Sequence, residues 1–250
     1  KIFETFQHPN LKKLIQKENM GPYHCRTLAI ENAETPWYFH LDADDLLPQD
    51  SIKKLVEHIN KHPQMDYFWG KCLFFSEKEY FVKYAEKVNH DLMARYNLIL
   101  GTSPIKISMF TELNGFHKEL MRGGADWDFW IRVLSNGYQG KFINEILYER
   151  RCRKNSVGNS WSIYHDRVAE LIIENNPEYF MKNNRKNECL GRAYELIARQ
   201  YRGMGKRKIA AENAVKACKV GWEFTSREDI LIENKMSISR YFLRRIGRLL

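Results

Sequence analysis

The stretch from Trp37 to Pro48 constrains the chain most. Trp37, Tyr38, Phe39 and Leu41 make an apolar run that ends abruptly in Asp42, Asp44 and Asp45. Such a run reads as a strand covered on both faces, as in a parallel sheet, and ligands of open α/β sheets bind beyond the carboxyl ends of such strands. The clustered carboxylates repel one another unless a cation lies between them. A hard divalent ion, held by one or two carboxylates together with phosphate oxygens, would supply that cation. The plainer alternative is a solvated turn into a helix, because Asp favours turns and helix starts.

The flanking pattern supports an α/β chain. Leu11 to Gln16 reads as a short strand and Tyr23 to Ala33 as a helix ended by Thr35-Pro36, so strand, helix and strand follow one another with a right-handed parallel crossover. Ile52, Leu55, Val56 and Ile59 form the stripe of a helix started by Asp50 or Ser51. Tyr67 to Phe75 reads as a strand and Ser76 to His90 as a loop over the site. Ile105 to Phe110 and Phe142 to Tyr148 read as further strands, and Asn114-Gly115 marks a turn.

A second acidic segment runs from Gly123 to Gly137. Asp126 is placed as the N-cap of a helix whose stripe is Trp127, Trp130, Ile131 and Leu134, with Gly137 just past its end. Two glycines before it let the backbone approach something bulky. Taken alone, Asp126 is only a cap and the tryptophans only core. The run Arg150-Arg151-Cys152-Arg153-Lys154-Asn155-Ser156 reads either as a solvated face or as a holder for a diphosphate.

Composition narrows the class. The formal net charge of +9 points to anionic partners: nucleoside diphosphates, acidic lipid or nucleic acid. No zinc-finger, aromatic RNA-binding or Gly-rich phosphate motif is present, so nucleic acid is excluded as the expected partner. No stretch approaches the ~20 apolar residues of a membrane span. Five widely spaced cysteines imply thiols kept reduced, and hence a cytoplasmic location.

Taken in order, these pieces resemble glycosyltransferase family 2, enzymes of the GT-A fold. The matching residues are Asn19-Met20-Gly21 through Cys25-Arg26 and Ala29, Phe39 to Asp45 as the DxD motif, Leu113 to Phe116, Gly124 to Arg132, and the basic Tyr148 to Ser156. The resemblance covers about residues 10 to 156. It implies a mostly parallel GT-A sheet with flanking helices, an inverting sugar transfer, a nucleotide-diphospho-sugar donor and a glycan or lipid-linked acceptor. It implies further that Asp126 is the catalytic base, that Arg26, Asp42, Asp44, Asp45 and Arg150 bind the donor, and that Asp44 with Asp42 holds Mg²⁺ or Mn²⁺. The family carries Glu before the base where this chain has Ala125. Its first strand and nucleotide-base-binding segment have no match, so the chain is expected to be an N-terminally truncated piece.

The expected organisation is a catalytic domain over residues 1–156 and a helical region over 157–250. Within the latter, Leu190 to Tyr201 and Ile209 to Val220 read as a helix pair. Residues 235–250 place Ile238, Phe242, Ile246 and Leu249 on one stripe, with arginines elsewhere. That pattern suits a helix on an anionic membrane surface, at the inner face of the plasma membrane, or one docked on the protein with a basic outer face. Two other functions compete. One is a phosphatase of the haloacid dehalogenase type using Asp42 and Asp44, and the other is a degenerate transferase domain acting as an interaction module.

Overall fold

The structure, a computed structural model, describes residues 5, 7–76, 80–83, 85–153 and 161–223. Its sheet is built on β2 (Tyr67–Phe75), an aromatic-rich segment whose alternating side chains feed two cores. Tyr67 and Trp69 enter a large buried cluster on one face, whereas Phe68 joins Leu55, Ile143 and Leu147 on the other. β5 (Gly140–Arg151) runs parallel to β2 from Tyr67 opposite Gly140 to Phe75 opposite Arg151. Gly140 is required there, because a Cβ would lie 2.2 Å from the Tyr67 ring.

On its other edge β2 meets two short strands. β4 (Ile105–Lys106) pairs antiparallel with its start and β3 (Tyr80–Lys83) with its end. β1 (Trp37–Tyr38) pairs antiparallel with β4. The sheet is therefore mixed: its longest ladder is parallel, as expected, and its three shorter ladders are antiparallel.

Several local expectations give way to this arrangement. Leu11 to Gln16 forms no strand and is mostly exposed, so the predicted parallel crossover is not made. The Trp37 strand stops after Tyr38, and Leu41 is 49% exposed. Beyond Phe39 the chain leaves the sheet, and the Asp42 N–H donates to the Tyr148 hydroxyl at 3.0 Å. Only Ile105 and Lys106 of the next predicted strand pair, because the chain turns into a helix at Ile107. Ser76 to His90 contains β3 instead of a simple loop.

Helices cover both faces of the sheet. They are α1 (Pro22–Glu31), α2 (Ser51–Lys61), α3 (His90–Arg95), α4 (Ile107–Glu112) and α5 (Ala125–Ser135), followed by α6 (His165–Asn175), α7 (Pro177–Phe180), α8 (Arg185–Gly203) and α9 (Arg207–Lys219). Leu55 of α2 packs on the Phe68 face, while Phe129, Trp130 and Val133 of α5 pack on the Tyr67 face. The same cluster continues through Val168 and Ile172 of α6 to Tyr179 and Phe180 of α7. Among the described residues no helix is long and apolar enough to cross a membrane, and no disulfide joins the five cysteines. The basic segment 235–250 lies outside the described residues.

α5 carries the second acidic motif and is fixed at both ends. Its N-cap is Gly124, at φ 87°, where a Cβ would also lie 2.4 Å from Val168 Cγ1. Asp126 thus sits in the first turn and not at the cap, since the close approach of α6 and the left-handed backbone both demand the glycine found two positions earlier. Asp128, fully buried, accepts from Arg132 Nε and Nη2 at 3.1 and 3.0 Å and from Asn176 Nδ2 at 2.8 Å, with His117 Nδ1 at 2.9 Å. Arg132 in turn donates to the carbonyls of Leu113 and Gly115, which holds the Asn114-Gly115 turn against the helix.

Removing one partner of a buried ion pair strands the other, at a cost of about 3–5 kcal/mol. Asp128→Ala should lose stability on that scale in urea denaturation. A loss below about 1 kcal/mol would show that the network does not anchor α5.

Candidate active site

α1 begins the site. Gly21, at φ 88°, turns the chain into Pro22, and three residues apart on one face of the helix stand Tyr23 and Arg26. Arg26 Nη2 donates to both carboxylate oxygens of Asp42 at 3.0 Å, while its guanidinium carbon lies 4.9 Å from the centre of the Tyr23 ring. Burial opposes the Arg26 cation. The carboxylate of Asp42, and with it the charge of Asp126, outweighs that cost and raises the Arg26 pKa. One guanidinium therefore feels the acidic groups of both sequence motifs, which places the first turn of α5 near the segment that follows β1.

Asp126 is fixed from two sides. Its Oδ1 accepts the N–H of Trp127 at 2.9 Å. Gly101 lies against it so closely that a Cβ there would meet Asp126 Oδ2 at 3.0 Å. Burial, then the charge of Asp126, pushes the Tyr23 phenol well above its usual range, so it stays protonated and remains a donor.

Past β1 the chain presents His40, Asp42, Asp44 and Asp45. His40 is buried beside Tyr38, with Nε2 3.9 Å from Asp42 Oδ1. Burial and then the Arg26 charge push its pKa down to about 3, so the imidazole is neutral. Leu46 and Glu149 exchange two backbone hydrogen bonds at 2.9 Å, which seats the acidic turn on the end of β5. Asp45 is buried there and accepts the Arg151 N–H at 2.8 Å. Burial raises its pKa against the opposing hydrogen bonds from Arg151 and Tyr148. Arg151 Nε donates to the Asp44 carbonyl at 2.9 Å, and Arg153 Nε lies 3.3 Å from Asp44 Oδ2.

The expected site residues thus take different places. Asp42, Arg26 and Asp126 converge around Tyr23. Asp44 stands half exposed at the turn, Asp45 fastens that turn to β5, and Arg150 is exposed with its guanidinium over Phe74 at 5.8 Å. Tyr23, His40 and Gly101 are not singled out by the sequence, and Tyr148, Arg151 and Arg153 enter it only as part of the basic Tyr148 to Ser156 segment. Tyr23 could have been found from its i, i+3 spacing to Arg26, and His40 from its strand-like alternation with Asp42.

The donor set suits a divalent ion held jointly with a phosphate ligand. Among the described residues no group of three His, Cys, Asp or Glu side chains could enclose an ion. The Asp42 and Asp44 side chains are each 41% exposed, the first paired with Arg26 and the second 3.3 Å from Arg153 Nε. A partly accessible carboxylate completed by phosphate oxygens and water is a set that Mg²⁺ accepts.

Comparison with known proteins agrees in kind. The profile of "Glycosyl transferase family 2" matches residues 1–121. TuaG of Bacillus subtilis (strain 168), assigned as a teichuronic acid biosynthesis glycosyltransferase, is 26% identical over 149 residues, 58% of this chain and 58% of that protein. The uncharacterized glycosyltransferase MJ1057 of Methanocaldococcus jannaschii is 24% identical over 158 residues, 60% of this chain and 54% of its own. The chain therefore spans a little over half the length of these two relatives. Among solved structures, TarS 1–349 of S. aureus in complex with UDP-GlcNAc is similar at a TM-score of 0.47 and 12% identity, over 84% of this chain and 75% of that one. Over residues 1–121, just under half of its length, the chain is similar to glycosyl transferase family 2.

Proposed function

We propose that this domain transfers a sugar from a nucleoside diphosphate donor to a hydroxyl of a glycan or lipid-linked acceptor, with inversion, in envelope polysaccharide synthesis. The observation that carries the reading is Arg26, whose guanidinium is under the charges of both Asp42 and Asp126. In this reading a donor-side carboxylate and a base-side carboxylate share one cleft. A phosphatase would need Asp42 as a free nucleophile, whereas both its oxygens accept hydrogen bonds from Arg26, which lowers their nucleophilicity. The name of TuaG, a teichuronic acid biosynthesis glycosyltransferase, supports an envelope glycan as acceptor, and the net charge of +9 suits an anionic one.

In this reading Asp126 takes the proton of the acceptor hydroxyl as its oxygen bonds to the anomeric carbon. The bond from that carbon to the diphosphate oxygen breaks on the opposite face, so a single displacement inverts the configuration. Asp42, oriented by Arg26 and by the Tyr148 hydroxyl at its own N–H, faces the donor ribose. Arg150, exposed at the end of β5, stands ready for the diphosphate, where a fixed cation lowers the energy of the departing anion. A divalent ion held by Asp44 would neutralise charge on the same leaving group.

The direct test is release of UDP from UDP-N-acetylglucosamine or UDP-glucose, and of GDP from GDP-mannose, with Mn²⁺ and with water as acceptor. At least one donor should be hydrolysed, and chelation by EDTA should abolish the release. Hydrolysis of none, or equal rates with EDTA, would contradict the reading. Asp126→Asn should lower kcat by ~100-fold or more with donor KM little changed, as expected for loss of a general base. Turnover near wild type would remove Asp126 from that role. Asp44→Asn should weaken the apparent Mn²⁺ affinity by about tenfold or more in a titration of the rate, because the ion loses its accessible carboxylate.

A further inference from the structure

Where β2 and β5 end and β3 begins, the sheet carries a row of side chains that has no part in the displacement. Tyr80 of β3, Phe75 of β2 and Arg151 of β5 stand opposite one another in adjacent strands. Residues paired in this way share one face of a sheet. Phe75 lies an even number of positions from Tyr67 and Trp69, so the row is on the face that α5 covers further along β2. Tyr80 is 69% exposed, Phe75 is half-buried, and the Arg151 guanidinium lies 4.6 Å from the centre of the Phe75 ring. Arg151 Nε donates to the Asp44 carbonyl at 2.9 Å, which fixes the guanidinium beside the acidic turn. Among the described residues no carboxylate pairs with that guanidinium. On the opposite face Phe74 and Phe81 stack with centroids 5.0 Å apart, which holds the β2–β3 hairpin in register beneath the row.

We propose that this row is a subsite for an acidic polysaccharide, a chain of sugar rings bearing carboxylates, which approaches the transfer site from the β3 edge. A pyranose presents C–H bonds on the faces of its ring, and these settle on the electron-rich face of an aromatic side chain. The planar guanidinium beside Phe75 takes a carboxylate through two parallel N–H donors. From Tyr80 to Arg151 is two strand spacings, about 10 Å, so one chain can stack a ring and offer a neighbouring ring's carboxylate to the arginine. The row ends at the acidic turn, and a chain lying along it is directed toward Asp44 on the side of the sheet that α5 occupies. A glycerol phosphate chain has the charge but no ring to stack, and a neutral glycan has rings but nothing for Arg151. Only the role of the bound chain as acceptor rests on the transferase reading.

Titration of the ¹⁵N-labelled full chain with hexagalacturonate, without donor or metal, tests this. The amide signals of Phe75, Tyr80 and Arg151 should shift together while those of α9 stay in place. The fully methyl-esterified hexamer keeps the rings and loses the charge, and should bind about fivefold more weakly or worse. A glycerol phosphate oligomer of equal charge should be weaker by about threefold or more, because nothing in it stacks. Tyr80→Ala should weaken hexagalacturonate binding by about threefold to tenfold, whereas Tyr80→Phe, which keeps the ring, should change it by less than about twofold. Arg151→Lys keeps the charge and loses the fork, and should cost about threefold or more. A thermal melt near that of wild type excludes a folding defect in each variant. No binding, equal affinity for the methyl ester or the glycerol phosphate oligomer, shifts confined to other parts of the protein, or undiminished affinity in Tyr80→Ala would each overturn the proposal. Hexagalacturonate bound at the row by a protein that hydrolyses no donor would instead overturn the transferase reading, so the two failures are told apart.

Discussion

The Arg26 guanidinium is the interaction on which the site depends. It is largely buried, so it is tolerable only while compensating negative charge surrounds it, and Asp42 supplies most of that charge through two hydrogen bonds of 3.0 Å. Asp126 contributes at longer range. The chain segment after β1 and the first turn of α5 are distant in sequence and share no strand pairing, yet both are drawn toward one cation on α1. Tyr23, one turn earlier on the same helix, packs its ring against that guanidinium.

That assembly holds its shape because its supports are rigid. α5 cannot shift easily: its cap glycine abuts α6, and its buried Asp128 is shared among Arg132, His117 and Asn176. The acidic turn is likewise seated by the Leu46–Glu149 pairing and by Asp45 on the backbone of Arg151. Of the acidic residues gathered near the site, Asp45 and Asp128 are structural fasteners, and Asp42, Asp44 and Asp126 remain partly accessible. Burial divides the carboxylates: Asp45 and Asp128, enclosed by protein donors, hold the frame, and Asp42, Asp44 and Asp126 keep an open side.

Much of this was legible in the sequence where periodicity is strong. The helices at Ser51–Lys61, Ala125–Ser135 and Arg207–Lys219, and the strand at Tyr67–Phe75, follow from apolar spacing alone. The Trp37 run was not, because an apolar stretch declares burial and not hydrogen-bond pairing, and only two of its residues find a strand partner. Ile105 to Phe110 shows the same ambiguity between a short strand and a short helix. The cap of α5 lies at Gly124, two positions before the expected Asp126, since the sequence could not show that α6 would press on Gly124. Which arginine of the basic run meets the acidic turn depended on the register of β5, and it is Arg151 that reaches the Asp44 carbonyl. Tyr23 stayed hidden because the charge it feels, that of Asp126, lies far away in sequence.

The central claim is spatial: the turn bearing Asp44 and the first turn of α5 line one cleft. Paramagnetic broadening by Mn²⁺ in the presence of UDP, read from the amide signals of the ¹⁵N-labelled protein, tests it without any assay of turnover. The account predicts that Asp126, Trp127 and Gly101 broaden together with Asp44, while the amides of α9 keep their intensity. Broadening confined to the residues around Asp44, with Asp126 and Gly101 as sharp as α9, would contradict it.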